Sequence, residues 1–450
     1  MARSPGATPV RASLPSFARP TSYGTGRGPS SPTIRDLNGD GRPELVTASY
    51  PSNSVSVLLN RGDGSFRRKR DYRTGKGPSS VAVGDVTGDG NPDLITPNGG
   101  TNTVSVLVNR GDGTFRAKRD YRAGRGPNLV AIGDLNGDGK LDLTVGNVGG
   151  ISVLLNEGAG MFRLGPGYAT QRPAAVRDLN GDGEPDLVFA GEYDTVVVLI
   201  RDGDGTLEAR YEYRTGIEPD EVEIGDLNGD ARPDLAVATN DESGELEEEG
   251  VRLYESTVSV LLNSGDGSFQ AQHTRQAGSV YLSIAIGDLN GDGRPDLALA
   301  NDDGGYTDGG AELDASTLSV LLNRGDGSFR ATRVVYRAGA TGDANWVATG
   351  DLNGDGRGDL VTANIEKHTV SVFLNEAAGL CDVKAVGGMK LPDAKRKLAR
   401  AHCRVGKVRR AFSDYVYAEK GVVISQKPSF GAVLPKGGEV DLVTSRGARR

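Results

Sequence analysis

The feature that most constrains this chain is a short acidic stretch that returns seven times. DLNGDGRPEL, beginning at Asp36, recurs in close copies beginning at Asp85, Asp134, Asp178, Asp226, Asp288 and Asp351. Successive starts lie 49, 49, 44, 48, 62 and 63 residues apart, a period that matches one supersecondary unit too small to bury its own apolar face. The two longest intervals hold insertions, DESGELEEEG after Asn240 and DDGGYTDGGAELD after Asn301. Both fall in the same connection of neighbouring units, so both are expected on one face of whatever the units build.

Inside each unit the order is constant. An apolar strand such as VAIGDL enters the acidic stretch, a second such as DLVTAN leaves it, and TVSVLLN follows; a GDG turn then leads into a Phe-led strand such as FRAKRDYRAG. Alternation at period two and Gly-rich turns mark β-hairpins. Gly makes up 66 of 450 residues and apolar residues only 36%, below the usual ~45–50% and in keeping with many short strands and turns. The predicted fold is all-β: a seven-bladed propeller of four-stranded blades, followed by a small α+β domain. The seventh unit ends at Asn375 without a Phe-led strand, whereas Phe17 to Tyr23 resembles one. That N-terminal strand is expected to complete the last blade and remove the exposed sheet edges. The expected divisions are a disordered segment 1–16, the propeller 17–380, the small domain 381–447 and a tail 448–450.

Each acidic stretch offers hard oxygen donors at positions 1, 3, 5 and 9 through side chains and at position 7 through a backbone carbonyl. The expected sets are Asp36, Asn38, Asp40, Arg42 and Glu44; Asp85, Thr87, Asp89, Asn91 and Asp93; Asp134, Asn136, Asp138, Lys140 and Asp142. The fourth and fifth are Asp178, Asn180, Asp182, Glu184 and Asp186; Asp226, Asn228, Asp230, Arg232 and Asp234. The last two are Asp288, Asn290, Asp292, Arg294 and Asp296; Asp351, Asn353, Asp355, Arg357 and Asp359. Arg42, Asn91, Lys140, Glu184, Arg232, Arg294 and Arg357 take part through their carbonyls. Such a flexible cage suits Ca²⁺ better than Mg²⁺, which demands a stricter octahedron. About seven calcium ions are expected, one per blade, as folding cofactors. An EF-hand is excluded, because it needs flanking helices and a Glu at position 12. Position 12 here holds Thr47, Thr96, Val145, Phe189, Val237, Leu299 and Thr362.

Strand-flanked acidic loops occurring once per blade resemble the FG-GAP/VCBS repeats of integrin-α-like propellers. The resemblance covers residues 17 to 380 and implies calcium in each loop and a role in extracellular recognition. Two positions depart from it: Thr87 stands where the other loops have Asn, and Ala231 where they have Gly at position 6. These two sites are expected to be weaker.

The charge is unevenly divided. The overall formal charge is -8, yet residues 381–450 carry 16 Lys+Arg against 6 Asp+Glu, so residues 1–380 hold 36 against 54. Leu391 to Ala401 reads as a short amphipathic helix, followed by strands near Val405 to Phe412, Gly421 to Gln426 and Glu439 to Thr444. Cys381 and Cys403, the two cysteines of the chain, both lie here. They are either reduced thiols or a disulfide, and a 22-residue separation within one small domain favours the disulfide. The segment GMKLPDAKRKLARAHC, the Gln-x-Pro-x-x-Gly step at Gln426 to Gly431 and the closing Gly-x-x-Val-x-Leu strand resemble a PASTA domain. That resemblance implies association with peptidoglycan, and the basic charge would also suit an anionic wall polymer. Nucleic acid is a poorer partner, since the domain has few aromatics for base stacking.

Several motifs have plain structural explanations. Arg-Gly-Asp at Arg61, Arg110 and Arg324 sits at a hairpin turn that reads NSGDG at Asn263 and NEGAG at Asn156, so turn geometry accounts for it. The acidic run Glu245 to Glu249 reads as a solvated loop and Trp346 as a packing residue just before the first strand of blade seven. No nucleophile arrangement stands out: no Ser lies in GxSxG, and His273, His368 and His402 are far apart. No run of about 18 apolar residues occurs, and Met1 to Pro20 contains no apolar core of a secretory signal. Export by another route, or a true start upstream, is the expectation. The combined reading is a monomeric, calcium-stabilised extracellular or cell-surface recognition protein of a bacterium, with a wall-associating tail. The alternative is a polysaccharide lyase or hydrolase, or a lectin-like glycan binder, working at the insertion face.

Overall fold

The computed structural model describes residues 14–168, 172–191, 193–201, 207–241, 255–278, 281–302, 305–306, 312–313, 316–330, 334–337, 344–376, 381–382, 386, 389–400, 404–413, 420–427, 433–434 and 439–448. Contacts divide the chain into Arg19–Leu374 and a second unit formed by Met1–Ala18 with Asn375–Arg450.

The first unit is the propeller. Seven four-stranded antiparallel sheets follow one another along it. Blade one consists of Pro29–Arg35, Glu44–Ser49, Ser54–Leu58 and Arg70–Arg73, each strand pairing with the next. Every blade begins with its innermost strand, and these seven strands touch in succession until that of blade seven, Ala344–Gly350, meets that of blade one. The ring is closed by the N-terminal strand. Thr21–Gly24 pairs antiparallel with Thr369–Phe373, Thr21 opposite Val372 and Gly24 opposite Thr369, and becomes the outer strand of blade seven.

Antiparallel pairing divides the connections between the two ends of the ring. The acidic loops, between first and second strands, share one end with the GDG turns. The connections between second and third strands share the other end with the blade-to-blade crossings, and the strands that flank both insertions, Asp234–Asp241 with Glu255–Asn263 and Asp296–Asp302 with Ser316–Leu321, meet them at that end. The second strand lies inside the sandwich on both sides, as in Glu44–Ser49 and Asp359–Asn364, where every residue is buried. The apolar core accordingly lies between blades. Leu37, Val46, Val55 and Val57 of blade one pack with Val81, Leu94, Leu107 and Phe115 of blade two.

Three repeated contacts join each blade to its neighbour. Tyr23 meets Phe66 edge to face at 5.3 Å, as Tyr72 meets Phe115, Tyr121 meets Phe162 and Tyr213 meets Phe269, a geometry favoured by the ring quadrupoles. The last Gly of the GDG turn admits no side chain: a Cβ on Gly267 (φ +79°) would lie 2.4 Å from Ile200 of the preceding blade. The third contact is the Asn that ends each third strand. Asn109 is buried, and its amide donates to Pro92 O in its own blade and to Leu37 O in the preceding one, both at 2.8 Å. Asn60, Asn156, Asn263 and Asn323 repeat both bonds. Blade four departs, with Arg201 at that position, 5% exposed and 3.5 Å from Glu184, and with Leu207 where other blades carry the Phe.

The second unit contains the one helix among the described residues, Leu391–Arg400, and a three-stranded sheet. In that sheet Glu439–Ala448 is central, parallel to Arg404–Ser413 and antiparallel to Val423–Lys427. Val386, Ala394, Leu398, Val423, Val440 and Leu442 form its core. The Gln426 side-chain oxygen accepts the Val386 N–H at 2.8 Å, which gives that residue of the Gln-x-Pro-x-x-Gly step a structural role. Pro15 and Ser16 are buried, and Ser16 O accepts the Glu376 N–H at 2.8 Å. Order therefore begins before residue 17, while residues 1–13 lie outside the described set, as do Cys403 and the Cys381 side chain on which the expected disulfide depends.

Replacing Asn109 with Ala removes the donor to both carbonyls and is expected to destabilise the fold by about 3 kcal/mol, through two acceptors left unsatisfied. Urea denaturation measures this, and an unchanged midpoint would mean that the link carries no stability.

Candidate metal loops

The acidic loop is built by its own first side chain. Asp36 accepts the N–H groups of Gly39 and Gly41, both at 2.8 Å, and so curls the chain around its carboxylate. Asn38 accepts the Asp40 N–H and Asp40 the Arg42 N–H, each at 2.9 Å. Such side-chain-to-backbone turns are what Asp and Asn do well outside regular structure. The other loops repeat the pattern, with Gly at positions 4 and 6 in left-handed conformations that need no Cβ. Ala231 adopts that conformation as well, at φ +68°, so the fifth loop keeps its shape at the cost of backbone strain. In loop two, Thr87 donates its N–H to Asp93, a bond made elsewhere by the residue at position 2.

Position 9 is the buried member. Glu44, Asp93, Asp142, Asp186, Asp234, Asp296 and Asp359 are all fully buried. Asp296 accepts the Leu289 N–H at 3.1 Å from the start of its loop and the Asn323 N–H at 2.9 Å from the end of the third strand. Asp142, Asp186 and Asp234 make the same pair of bonds. The residue expected only as an ion ligand is thus also a staple between loop and hairpin. Each position-7 Arg in loops one, five and six lays its guanidinium on the GDG turn, Arg42 on Arg61 O, Arg232 on Ser264 O and Arg294 on Arg324 O.

Among the described residues, no three acidic, His or Cys side chains form a ready-made metal cage. The loop carboxylates nevertheless feel one another. Desolvation, augmented by Asp36 and Asp40, pushes Glu44 up to about 7. Asp296 rises to about 7 from burial and from Asp288 and Asp292; Asp93 and Asp186 rise to about 6 for the same two reasons. Loop three has a cation of its own, Lys140, 2.8 Å from Asp138. A set of oxygen donors with mutually repelling charges fits a hard cation.

The Arg-Gly-Asp sequences are turns. Asp63 accepts both the backbone N–H (2.9 Å) and the hydroxyl (2.6 Å) of Ser65. Those bonds hold its carboxyl below the usual range. Trp346 lies within the first strand of blade seven, not ahead of it, and lines a cavity of about 290 Å³ bounded by the first strands of blades one, five, six and seven, with Glu221, Glu223 and Ile284. The inter-blade Asn was legible in sequence only as part of a turn. Its constancy as the residue before x-Gly-x-Gly was the available signal.

Without metal, the raised carboxyls favour the protonated, folded state. Stability from Glu44, Asp93, Asp186 and Asp296 is fully present below their unfolded value of about 4 and is lost as pH rises through about 6 to 7. In chelator, the urea midpoint is expected to fall as pH rises from about 5 to 7.5. A rising midpoint would show that the loop charges are already compensated.

A sequence profile for the FG-GAP-like repeat matches residues 36–96, 97–145, 178–237, 250–299 and 302–362, and one for the PASTA domain matches residues 382–446. Among curated proteins, none matches the chain. Among solved structures, BBS1N in complex with ARL6DN is similar at a TM-score of 0.52 and 12% identity, over 81% of this chain and 98% of that one. The hydrazine synthase of Kuenenia stuttgartiensis is similar at a TM-score of 0.52 and 15% identity, over 78% of this chain and 96% of that one. At such identities the likeness is one of fold, and both structures share the propeller arrangement. With its repeats spanning more than half of its length, the chain belongs to the FG-GAP-like repeat family and carries a C-terminal PASTA domain.

Proposed function

We propose that the chain is a calcium-stabilised recognition protein of a bacterial cell surface or its surroundings, whose PASTA domain associates with the cell wall. The observation that supports the calcium reading is the placing of a buried position-9 carboxylate, its proton affinity raised first by burial and then by the charges at positions 1 and 5, within a loop curled around the position-1 carboxylate. In loop one, Asp36, Asn38, Asp40, the Arg42 carbonyl and Glu44 would hold the ion, and the corresponding residues would do so in the other loops. Bound calcium would supply charge neutralisation, and its binding energy would add to folding. The PASTA match supports the wall association. Among the described residues no helix is long and apolar enough to cross a membrane.

The insertion end of the ring is the proposed partner face, for a protein or a glycan. Among the described residues it carries four of the seven large apolar side chains that the propeller leaves in water: Tyr50, Val148 and Tyr193 between second and third strands, and Ile217 in the crossing from blade four to blade five. Side chains of that kind at one end suit recognition. Most of the two insertions, 242–250 of the first and all but 302, 305–306 and 312–313 of the second, lies outside the described residues.

Calorimetric titration of the chelated chain is expected to give about seven calcium ions and a rise in melting temperature, with ~2.7 kcal/mol per site at a hundredfold excess over Kd. No binding would remove calcium from the account. Deleting 241–250 and 302–314 together is expected to preserve the calcium-bound fold and abolish binding on a glycan and envelope-protein array. Retained binding would move the partner face elsewhere, and turnover of an arrayed glycan would favour the enzymatic alternative.

A further inference from the structure

The propeller is acidic in sum, yet the outer strands of blades one and two are not. Residues 67–76 and 116–125 together hold eleven Lys+Arg and two Asp. Of these, Asp71 pairs with Lys69 at 2.5 Å and Asp120 with Lys118, and both also accept a hydroxyl, from Ser56 and Ser105. Asp112, in the GDG turn of blade two, faces Arg70 across the blade boundary. Arg67, Arg68, Arg73, Arg116, Arg119 and Arg122 stand exposed around these groups. The corresponding strand of blade four, 207–219, carries two Arg against three Glu, so the basic arc is a local property and not a feature of the repeat.

Two clefts of the same construction lie along this arc. One is lined by Tyr23, Leu58, Phe66, Arg67, Arg68 and Lys69 and has a volume of about 250 Å³. The other, one blade further on, is lined by Asp71, Tyr72, Arg73, Leu107, Phe115, Arg116 and Lys118, with Asp71 engaged by Lys69 and Ser56, and has a volume of about 240 Å³. In each, an edge-to-face Tyr–Phe pair lines the cleft beside three cationic side chains, and in the second the paired Asp71 stands among them. The Phe rings are buried, at 5% exposure, and offer no free face for stacking a nucleobase. Each cleft has room for a single sugar- or polyol-sized unit, and the guanidinium groups beside it match phosphate or carboxylate oxygens in pairs.

We propose that the outer strands of blades one and two bind a linear anionic polymer carrying one phosphate or carboxylate per sugar- or polyol-sized repeat, seated across the two clefts. Envelope polymers of that chemistry are chosen over other polyanions on the PASTA-based reading above. The site depends neither on the metal loops nor on the insertion face. Duplex DNA matches less well: it is too wide for the clefts, and the acidic remainder of the propeller repels it.

The full chain, saturated with calcium, is titrated against poly(glycerol phosphate), against hyaluronan and against duplex DNA of equal charge. Binding of one of the first two is expected at about 50 mM salt, weakening tenfold or more by about 200 mM as counterions are released on contact. Replacing Arg67, Arg68, Arg116 and Arg119 with Gln is expected to lower that affinity by at least about tenfold and to flatten its salt dependence. Arg409→Glu with Arg410→Glu, in the PASTA domain, is expected to change it by less than about threefold. Gln removes the charge and keeps a polar, hydrogen-bonding side chain, and an unchanged melting temperature separates lost binding from lost fold. The response of the first polymer against the second tells phosphate from carboxylate. The proposal is overturned by absence of binding at low salt, by retained affinity in the four-Gln variant, or by preference for DNA. A failed calcium titration alongside loss of binding in the four-Gln variant would leave this site standing while removing the calcium reading.

Discussion

The structure of each repeat depends on one buried carboxylate. At position 9 an acidic side chain with no solvent exposure accepts a backbone N–H from the start of its loop and another from the end of the third strand. Burying a carboxylate is costly unless its oxygens are satisfied, and two converging N–H groups satisfy part of the requirement. The loop therefore cannot move independently of the hairpin beside it. Because the hairpin also carries the Asn that reaches the preceding blade, the geometry of one loop is passed on to the next around the ring.

That transmission is uneven. Five blades send an Asn amide to the carbonyl of the preceding loop, whereas blade four presents Arg201 against Glu184. Glu184 is itself the position-7 residue of loop four. The fourth blade thus replaces a neutral link to its neighbour with an ion pair inside itself, and the boundary between blades three and four rests more heavily on apolar packing. Leu187, Phe189, Val197 and Leu199 pack there with Leu135 and Val176.

Much of this was legible from spacing. Seven acidic stretches with Gly at fixed offsets define loops without reference to anything distant, and the missing outer strand after Asn375 pointed to the N-terminus as its replacement, which the pairing of Thr21 with Val372 bears out. The parts that were not legible are cross-blade. Asn109 and Leu37 are 72 residues apart, and nothing local to Asn109 distinguishes an inter-blade donor from an ordinary turn residue. Position 9 was read as a ligand because its residue type suits a cation, while its backbone partners follow from burial that only the assembled blade provides. Trp346 was placed one step too early because the first strand of blade seven has few β-branched residues at its start.

Charge is distributed by position in the blade, and this separates the possible tasks of the propeller. Carboxylates are concentrated at the end that holds the acidic loops, where those at positions 1 and 5 add to the burial that raises the proton affinity of position 9. Arginines are concentrated on the outer strands of blades one and two, which the loops do not use. An outer strand pairs on one side only and, apart from its inter-blade Tyr and the Phe ahead of it, stands exposed, so its other positions are the freest in the repeat to vary. A ring whose inner three strands are constrained by burial can change its rim one blade at a time. The contrast between the basic strands of blades one and two and the mixed charges of blade four is the result expected when folding requirements fix the inner strands and binding requirements act on the outermost one.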